Sequence, residues 1–163
     1  MKIIILGAGA VGRTLASLLS EEHDLVVVDQ DTAQLHRLEE ESDIQTLTGG
    51  ASYPNILVNA GIMDADMVVA VTDSDETNIV SCMISKVLNK SVQTVARVRE
   101  ISYLKGKTKE AMDSGEIPVD IHISPEQLIT EHIQGLIEIP GSLQVMEFGE
   151  GQLNLVAVRA VEG

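Results

Sequence analysis

Short apolar runs alternate with amphipathic segments along the first three quarters of the chain. Residues 3–6 are continuously apolar, which is typical of a strand covered on both faces, whereas residues 11–21 repeat apolar positions at helical spacing. The inward face of that helix is predicted to carry Val11, Leu15, Leu18 and Leu19. The alternation predicts strands at residues 3–6, 25–28, 44–48, 67–72, 93–98 and 119–123, with helices at 11–21, 32–41, 54–60, 75–88 and within 102–116. This spacing favours an α/β fold, a Rossmann-like doubly wound parallel sheet of six strands.

The pattern changes after Ser124, which is a good helix N-cap and precedes a proline suited to the first helical position. A helix is therefore predicted from Pro125 to about Glu138, with its apolar residues on one face. Two strand-like runs follow, at residues 143–148 and 153–160, joined by Gly149-Glu150-Gly151 in a hairpin pattern. Because a lone two-stranded hairpin is marginal in water, we expect this segment to be the beginning of a larger element.

A glycine-rich turn joins the first predicted strand to the first predicted helix. Gly7-Ala8-Gly9-Ala10-Val11-Gly12 matches the G-x-G-x-x-G pattern, and Asp29 ends the second strand. In that pattern the first glycine permits a tight turn, the second lets a pyrophosphate approach the backbone, and the third lets helix and strand pack closely. An acid at the position of Asp29 accepts hydrogen bonds from ribose hydroxyls and repels a 2′-phosphate, which favours NAD(H) over NADP(H).

Two further groups of polar residues follow later strands. Thr72 is expected to face the crevice at the end of the fourth strand, whereas capping and solvation are favoured over ligand contact for Asp73, Asp75 and Glu76 taken together. Arg97 lies near the end of an otherwise apolar strand, where it would serve either an anionic ligand or an ion pair. For Arg13, in the first helical turn, a solvated position is expected.

Composition excludes several classes of partner and chemistry. The net charge is −14 and aromatic residues make up 2% of the chain, so neither phosphate neutralisation nor base stacking on nucleic acid is expected. No apolar run is long enough for direct membrane insertion. Cys82 is the only cysteine and is interpreted as a core residue, and the histidines form no metal-ligand pattern. We therefore predict a protein that binds a dinucleotide without transforming it, with no catalytic residue and no metal site.

Several short motifs together resemble the RCK/KTN family over the whole chain. They are residues 7–12, Val28-Asp29, Ala60-Gly61-Ile62 with Ala65-Asp66, Val69-Ala70-Val71-Thr72 with Asp75-Glu76 and Asn78, Ala96-Arg97-Val98-Arg99, and Ile123-Ser124-Pro125-Glu126. The resemblance implies a cytoplasmic regulatory subunit that lies at the inner face of the cell membrane through a membrane-embedded potassium transport subunit. It implies a homo-oligomer, with a dimer as the building block of a ring, and a crevice for NAD(H), or for ATP/ADP at the same site.

The resemblance also implies roles for individual residues and segments. Gly7, Ala8, Gly9, Ala10 and Val11 would surround the pyrophosphate, with Asp29 at the ribose and Thr72 and Asp73 at the crevice across from Arg97. Residues 1–124 would form the nucleotide-binding domain, 125–141 a crossover and dimerisation helix with its linker, and 142–163 the start of a truncated C-terminal subdomain. Two alternatives stay open: an NAD-dependent oxidoreductase domain without its substrate domain, and a purely structural dimerisation domain.

Overall fold

A central parallel sheet organises the first part of the chain. The structure is a computed structural model and describes residues 1–140, 142–148 and 153–158. The strands of the sheet are β1 (Lys2–Leu6), β2 (Asp24–Asp29), β3 (Gln45–Thr48), β4 (Met67–Ala70), β5 (Gln93–Arg97) and β6 (Ile121–Ile123). They pair in parallel in the order β3-β2-β1-β4-β5-β6, so the direction of winding reverses between β1 and β4. This confirms the predicted α/β class and the Rossmann-like, doubly wound sheet.

Helices cover both faces of the sheet. They are α1 (Ala10–Leu19), α2 (Thr32–Glu41), α3 (Pro54–Asn59), α4 (Asp75–Leu88) and α5 (Gly106–Asp113), with a single 3₁₀ turn at Ile62–Asp64. One core joins Ile3 and Ile5 of β1 to α1 and α2, and a second joins Ile4 and Leu6 to α3, α4 and α5. Burial on both faces is the reason that β1 is apolar at every position from residue 3 to residue 6.

Helix α1 differs from its prediction in both its bounds and its buried face. It ends at Leu19 rather than Glu21, and its fully buried residues are Gly12 and Ala16. Val11 and Leu18 were predicted to face inward but are exposed, Leu18 at 72%. The physical reason is close packing: small residues allow the helix to approach the sheet along its Gly12–Ala16 stripe, and this turns the larger side chains outward.

Strands β4 and β6 are each two residues shorter than predicted, because side chains replace backbone partners at one end of each strand. Strand β4 ends at Ala70 rather than residue 72, and the N–H of Thr72 donates instead to Oδ1 of Asn78 at 2.9 Å. Strand β6 begins at Ile121 rather than residue 119, and the N–H of Asp120 donates to Oγ1 of Thr94 at 3.1 Å. These two side-chain hydrogen bonds satisfy the backbone N–H groups that a longer strand would have paired with its neighbour.

Residues Ser124–Gly163 form a second unit, separate from the unit Met1–Ile123. Helix α6 (Pro125–Glu138) begins at the Ser124 N-cap, whose hydroxyl accepts from the N–H of Gln127 at 3.4 Å. Strands β7 (Ser142–Phe148) and β8 (Leu153–Val158) pair antiparallel, whereas the predicted turn at residues 149–151 lies outside the described residues. Four apolar side chains of α6 are 51–72% exposed: Leu128, Ile129, Ile133 and Ile137. Within the described ranges, no helix combines the length and apolarity needed to cross a bilayer.

Candidate functional site

A crevice of about 600 Å³ opens at the carboxyl ends of the strands, where the order reverses between β1 and β4. Its lining includes most of the residues predicted from the sequence: Gly7, Gly9, Ala10, Val11, Asp29, Thr72, Asp73 and Arg97. It also includes residues that were not predicted: Val28, Gln30, Asp31, Gln34, Gly49, Ala51, Val71 and Thr77. In open α/β sheets this is the position where ligands bind.

Two glycines let backbone segments pack against each other at the floor of the crevice. Gly7 has a φ of 109°, and a Cβ there would lie 3.0 Å from the backbone nitrogen of Thr72. A Cβ at Gly12 would lie 1.8 Å from the carbonyl oxygen of Gly7, which no movement of a side chain relieves. Gly9 is different, since a Cβ would meet nothing within 4 Å. The glycine loop is therefore shaped by contacts at Gly7 and Gly12, while Gly9 leaves open space.

Ala8 and Gly12 do not line the crevice. Ala8 is 1% exposed, and its N–H donates to Oδ2 of Asp29 at 2.6 Å. Gly12 belongs to α1 and is buried against the loop that carries Gly7. Both residues lie behind the crevice wall, where they support the residues that face the open space.

Asp29 is held in place by the backbone on both sides of its carboxylate. Oδ2 accepts from the N–H of Ala8 at 2.6 Å, and Oδ1 accepts from the N–H of Asp31 at 2.8 Å. Its own carbonyl accepts from the N–H of Gly49 at 2.8 Å, which ties the end of β2 to the end of β3. Because each carboxylate oxygen has a further lone pair, Asp29 keeps acceptor capacity for hydroxyl groups in the crevice.

Asn78 of α4 was not predicted as a site residue, yet its amide organises the β4 side of the crevice. Oδ1 accepts from the N–H of Thr72 at 2.9 Å and from its hydroxyl at 2.6 Å. Nδ2 donates to the carbonyl of Thr72 at 3.2 Å and to the carbonyl of Arg97 at 2.9 Å. The available signal was a polar side chain on the buried stripe of α4, where Asn78 is 0% exposed.

The acidic residues after β4 lie in different places and make different contacts. Asp73 lines the crevice, whereas the Asp75 carboxylate accepts from the N–H groups of Arg99 and Glu100, both at 2.7 Å. Ser74 is the N-cap of α4, because its hydroxyl accepts from the N–H of Thr77 at 3.1 Å. The Arg99 guanidinium also donates to the carbonyl of Asp73, so the loop after β5 is tied to the loop after β4.

The electrostatics of the crevice favour backbone groups as the partners of an anion. Among the described residues, its lining carries the carboxylates of Asp29, Asp31 and Asp73 and the guanidinium of Arg97. Side-chain charge is thus net negative, and attraction for phosphate must come largely from the glycine loop and from the positive end of α1. The ionisable side chains of the same described lining are these three carboxylates and the Arg97 guanidinium, and the lining contains no His, Cys, Lys or Tyr.

Cys82 lies in the core, and the histidines of the described residues belong to no cluster that could hold a metal ion. Cys82 is 0% exposed, and burial raises the pKa of its thiol to about 12, as expected for a core residue rather than a nucleophile. Over the described ranges, no group of three or more His, Cys, Asp or Glu side chains is arranged to hold a metal ion. His122 is half-buried in β6, and Arg13 lies outside the crevice lining.

A hydrogen-bonded ion pair lies at the opposite ends of the strands from the crevice. The Asp120 carboxylate accepts from Lys86 Nζ at 2.7 Å and from the N–H and hydroxyl of Thr94 at 2.7 and 3.0 Å. Burial raises the pKa of Asp120, but the bonds from Lys86 and Thr94 outweigh it and hold the pKa below its ordinary value of 3.8.

Residues 3–125 match the family model of the TrkA-N domain. The chain is 49% identical to the Trk system potassium uptake protein TrkA of Halomonas elongata, over 100% of this chain and 35% of that protein. It is 48% identical to the protein of the same name in Vibrio alginolyticus, over 100% of this chain and 36% of that one. The chain thus spans about a third of the length of these relatives.

Solved structures with the same fold include a TrkA-N domain and two proteins with a bound nucleotide. The TrkA-N domain of inner membrane protein ybaL from Escherichia coli gives a TM-score of 0.70 at 18% identity, covering 83% of this chain and 96% of that one. The GsuK channel bound to NAD gives 0.66 at 22% identity, covering 88% and 27%. The Shewanella denitrificans Kef CTD in AMP-bound form gives 0.65 at 17% identity, covering 86% and 82%. At these identities the likeness shows the fold alone.

Proposed function

This chain belongs to the TrkA-N domain family, and we propose that it is a nucleotide-sensing regulatory module that binds NAD(H), or ATP/ADP at the same site, in the crevice between β1 and β4. The observation that carries this proposal is the bond from the N–H of Ala8 to the Asp29 carboxylate. It holds a ribose acceptor beside the amino end of α1, where phosphate is favoured.

The relatives support a role for the whole protein in potassium uptake. Both relatives described above are named as Trk system potassium uptake proteins, and the GsuK channel carries the same fold. We therefore propose a cytoplasmic, non-enzymatic subunit at the inner face of the cell membrane, attached through a membrane-embedded potassium transport subunit.

Assembly gives the nucleotide a way to act on transport. The exposed apolar residues of α6 support a homo-oligomer in which a dimer is the building block of a ring. A nucleotide that binds one arrangement of the protomers more tightly than another shifts the population toward it, and the transport subunit responds to that shift. The size of the shift is limited by the ratio of the two affinities.

Calorimetric titration of the folded protein with NADH, NAD⁺, ATP and ADP tests the binding step directly. We expect saturable binding of at least one of them at one site per chain. Folded protein that takes up none of the four would overturn the proposal. The order of the affinities identifies the physiological class of ligand.

Replacing Asp29 tests where that ligand sits. Asp29→Ala removes a charged acceptor, and we expect NADH binding to weaken by about 1–3 kcal/mol. Asp24→Ala is the matched control, because Asp24 is an exposed carboxylate at the opposite end of the same strand. Thermal melting of both variants checks that they are folded at the temperature of titration. Equal affinities for NADH in the two variants would remove Asp29 from the site.

A further inference from the structure

We propose that Asn78 is a positioning residue that sets the β4 and β5 side of the nucleotide crevice without touching the ligand. This inference rests on the proposed function, since it concerns the same crevice. Asn78 is not part of the crevice lining, but both of the residues to which it bonds, Thr72 and Arg97, are.

The geometry of the Asn78 amide leaves it no alternative orientation. Its oxygen accepts two hydrogen bonds and its nitrogen donates two, so all four bonding positions of the amide are used. The side chain is fully buried, and no water competes for these bonds. An aspartate of the same shape would place an oxygen against the carbonyls of Thr72 and Arg97, replacing two attractive contacts with two repulsive ones.

The hydrogen bonds of Asn78 lie where the backbone hydrogen bonds between β1 and β4 end. The last ladder bond from this region runs from the N–H of Val71 to the carbonyl of Leu6 at 2.8 Å. At the next residue, the Asn78 amide forms hydrogen bonds with the N–H, the carbonyl and the hydroxyl of Thr72. The backbone of Thr72 is also the first group that a Cβ at Gly7 would meet, at 3.0 Å. Asn78 therefore fixes the spacing between the glycine loop and the end of β4.

The bond to Arg97 extends this effect to β5. Asn78 Nδ2 holds the Arg97 carbonyl at 2.9 Å, which fixes the backbone from which the Arg97 side chain enters the crevice. A mononucleotide whose ribose binds at Asp29 occupies only the β1 and β2 side of the crevice. A dinucleotide extends past the reversal point to the side that Asn78 organises. Loss of Asn78 should thus affect the two ligands differently.

The test compares NADH with AMP in Asn78→Asp by calorimetry. We expect NADH affinity to fall about tenfold, through two lost hydrogen bonds at the crevice wall. AMP affinity should change by less than about twofold, because its contacts are independent of the altered wall. The matched control is Ser85→Ala on the same buried stripe of α4, where the hydroxyl donates only to the carbonyl of Ser81 at 2.7 Å. This control should leave both affinities unchanged.

The outcomes separate this inference from the proposed function. Unaltered protein that binds neither NADH nor AMP overturns the positioning role, and it overturns the proposed function as well only when NAD⁺, ATP and ADP also fail to bind. Unaltered protein that binds them, with Asn78→Asp weakening both equally or neither, overturns only the positioning role. Amide exchange in the unaltered protein gives a second measurement that does not depend on the variant folding. There NADH should increase protection of the Thr72 N–H more than AMP does, and equal protection by the two nucleotides would contradict the inference.

Discussion

The two halves of the sheet hold their sides of the crevice in different ways. On the β1 and β2 side, the glycine loop lies backbone against backbone, and the carboxylate of Asp29 is held by main-chain N–H groups. On the β4 and β5 side, buried polar side chains hold the loops: Asn78 binds Thr72 and Arg97, while Asp75 binds the chain after β5. The β1 and β2 wall thus depends mainly on glycines that let backbone pack against backbone, and the β4 and β5 wall depends on buried polar side chains.

Because the two walls are held differently, different kinds of substitution should destabilise them. Steric packing of backbone tolerates no added atom, and an intrusion cannot be relieved by a rotamer change. A buried hydrogen-bond network instead fails when one partner is removed, because the remaining donors and acceptors stay buried without water. Two substitutions test this contrast and a third tests the ion pair at the other ends of the strands, beginning with the largest expected effect.

The largest effect is expected for Gly12→Ala in the glycine loop. The new Cβ would lie 1.8 Å from the carbonyl oxygen of Gly7, so α1 must move away from the loop. We expect a loss of at least about 3 kcal/mol in the free energy of unfolding, measured by urea denaturation. Gly9→Ala is the matched control: its Cβ meets nothing, and the expected loss is at most about 1 kcal/mol. Similar losses for both variants would show that backbone contact does not hold this wall.

A smaller effect is expected for Asp75→Asn on the opposite wall. Asp75 is 6% exposed and accepts from two backbone N–H groups, so the change removes the charge from both bonds while keeping the shape. We expect a loss of about 2 kcal/mol in the free energy of unfolding, by the same measurement. The control is Glu76→Gln, one residue along, whose exposed carboxylate should contribute within about 0.5 kcal/mol. A near-neutral Asp75→Asn would argue against the network as the support of this wall.

The smallest effect, and the one that depends on pH, is expected for Asp120→Asn at the ends of the strands away from the crevice. The folded pKa of Asp120 lies below its ordinary value of 3.8, so its contribution is complete above that value and is lost as the pH falls through the folded pKa. Since its side chain is 37% exposed, we expect less than about 1 kcal/mol at pH 7. The stability difference between Asp120→Asn and the unaltered protein should shrink below about pH 4. A difference that is constant from pH 7 to pH 3 would contradict the assignment.

Local signals account for the parts of the fold that the sequence predicted well. The bounds of α2, α4 and α6 match the structure, and each begins at a short polar cap, Asp31, Ser74 or Ser124, whose side chain accepts from the next turn. Alternation of apolar runs predicted the sheet because burial on both faces makes its central strands, β1 in particular, almost continuously apolar. Such signals lie within a few residues of the feature that they predict.

Features that depend on distant partners were not predictable in the same way. Asn78 binds Arg97, 19 residues along the chain, and no local pattern indicates that bond. The exposure of Leu18 likewise follows from how closely Gly12 and Ala16 let α1 approach the sheet. In the crevice, the glycine motif and Asp29 predicted the lining on the β1 and β2 side. Gln30, Gln34 and Thr77 also line the crevice, but they belong to no recognised motif. The roles assigned to the lining residues stay predictions.

The glycine-built wall has a consequence for mutational scanning of this protein. An alanine scan leaves Ala8 and Ala10 unchanged, so these positions appear neutral however much their N–H groups contribute, whereas the same scan adds a Cβ at Gly7 and Gly12. The glycine-built wall therefore responds to alanine where an atom is added, at Gly7 and Gly12, and a scan with valine or leucine extends the test to Ala10. Positions sensitive to added atoms should therefore lie mainly on the β1 and β2 side of the crevice, and positions sensitive to truncation mainly on the β4 and β5 side.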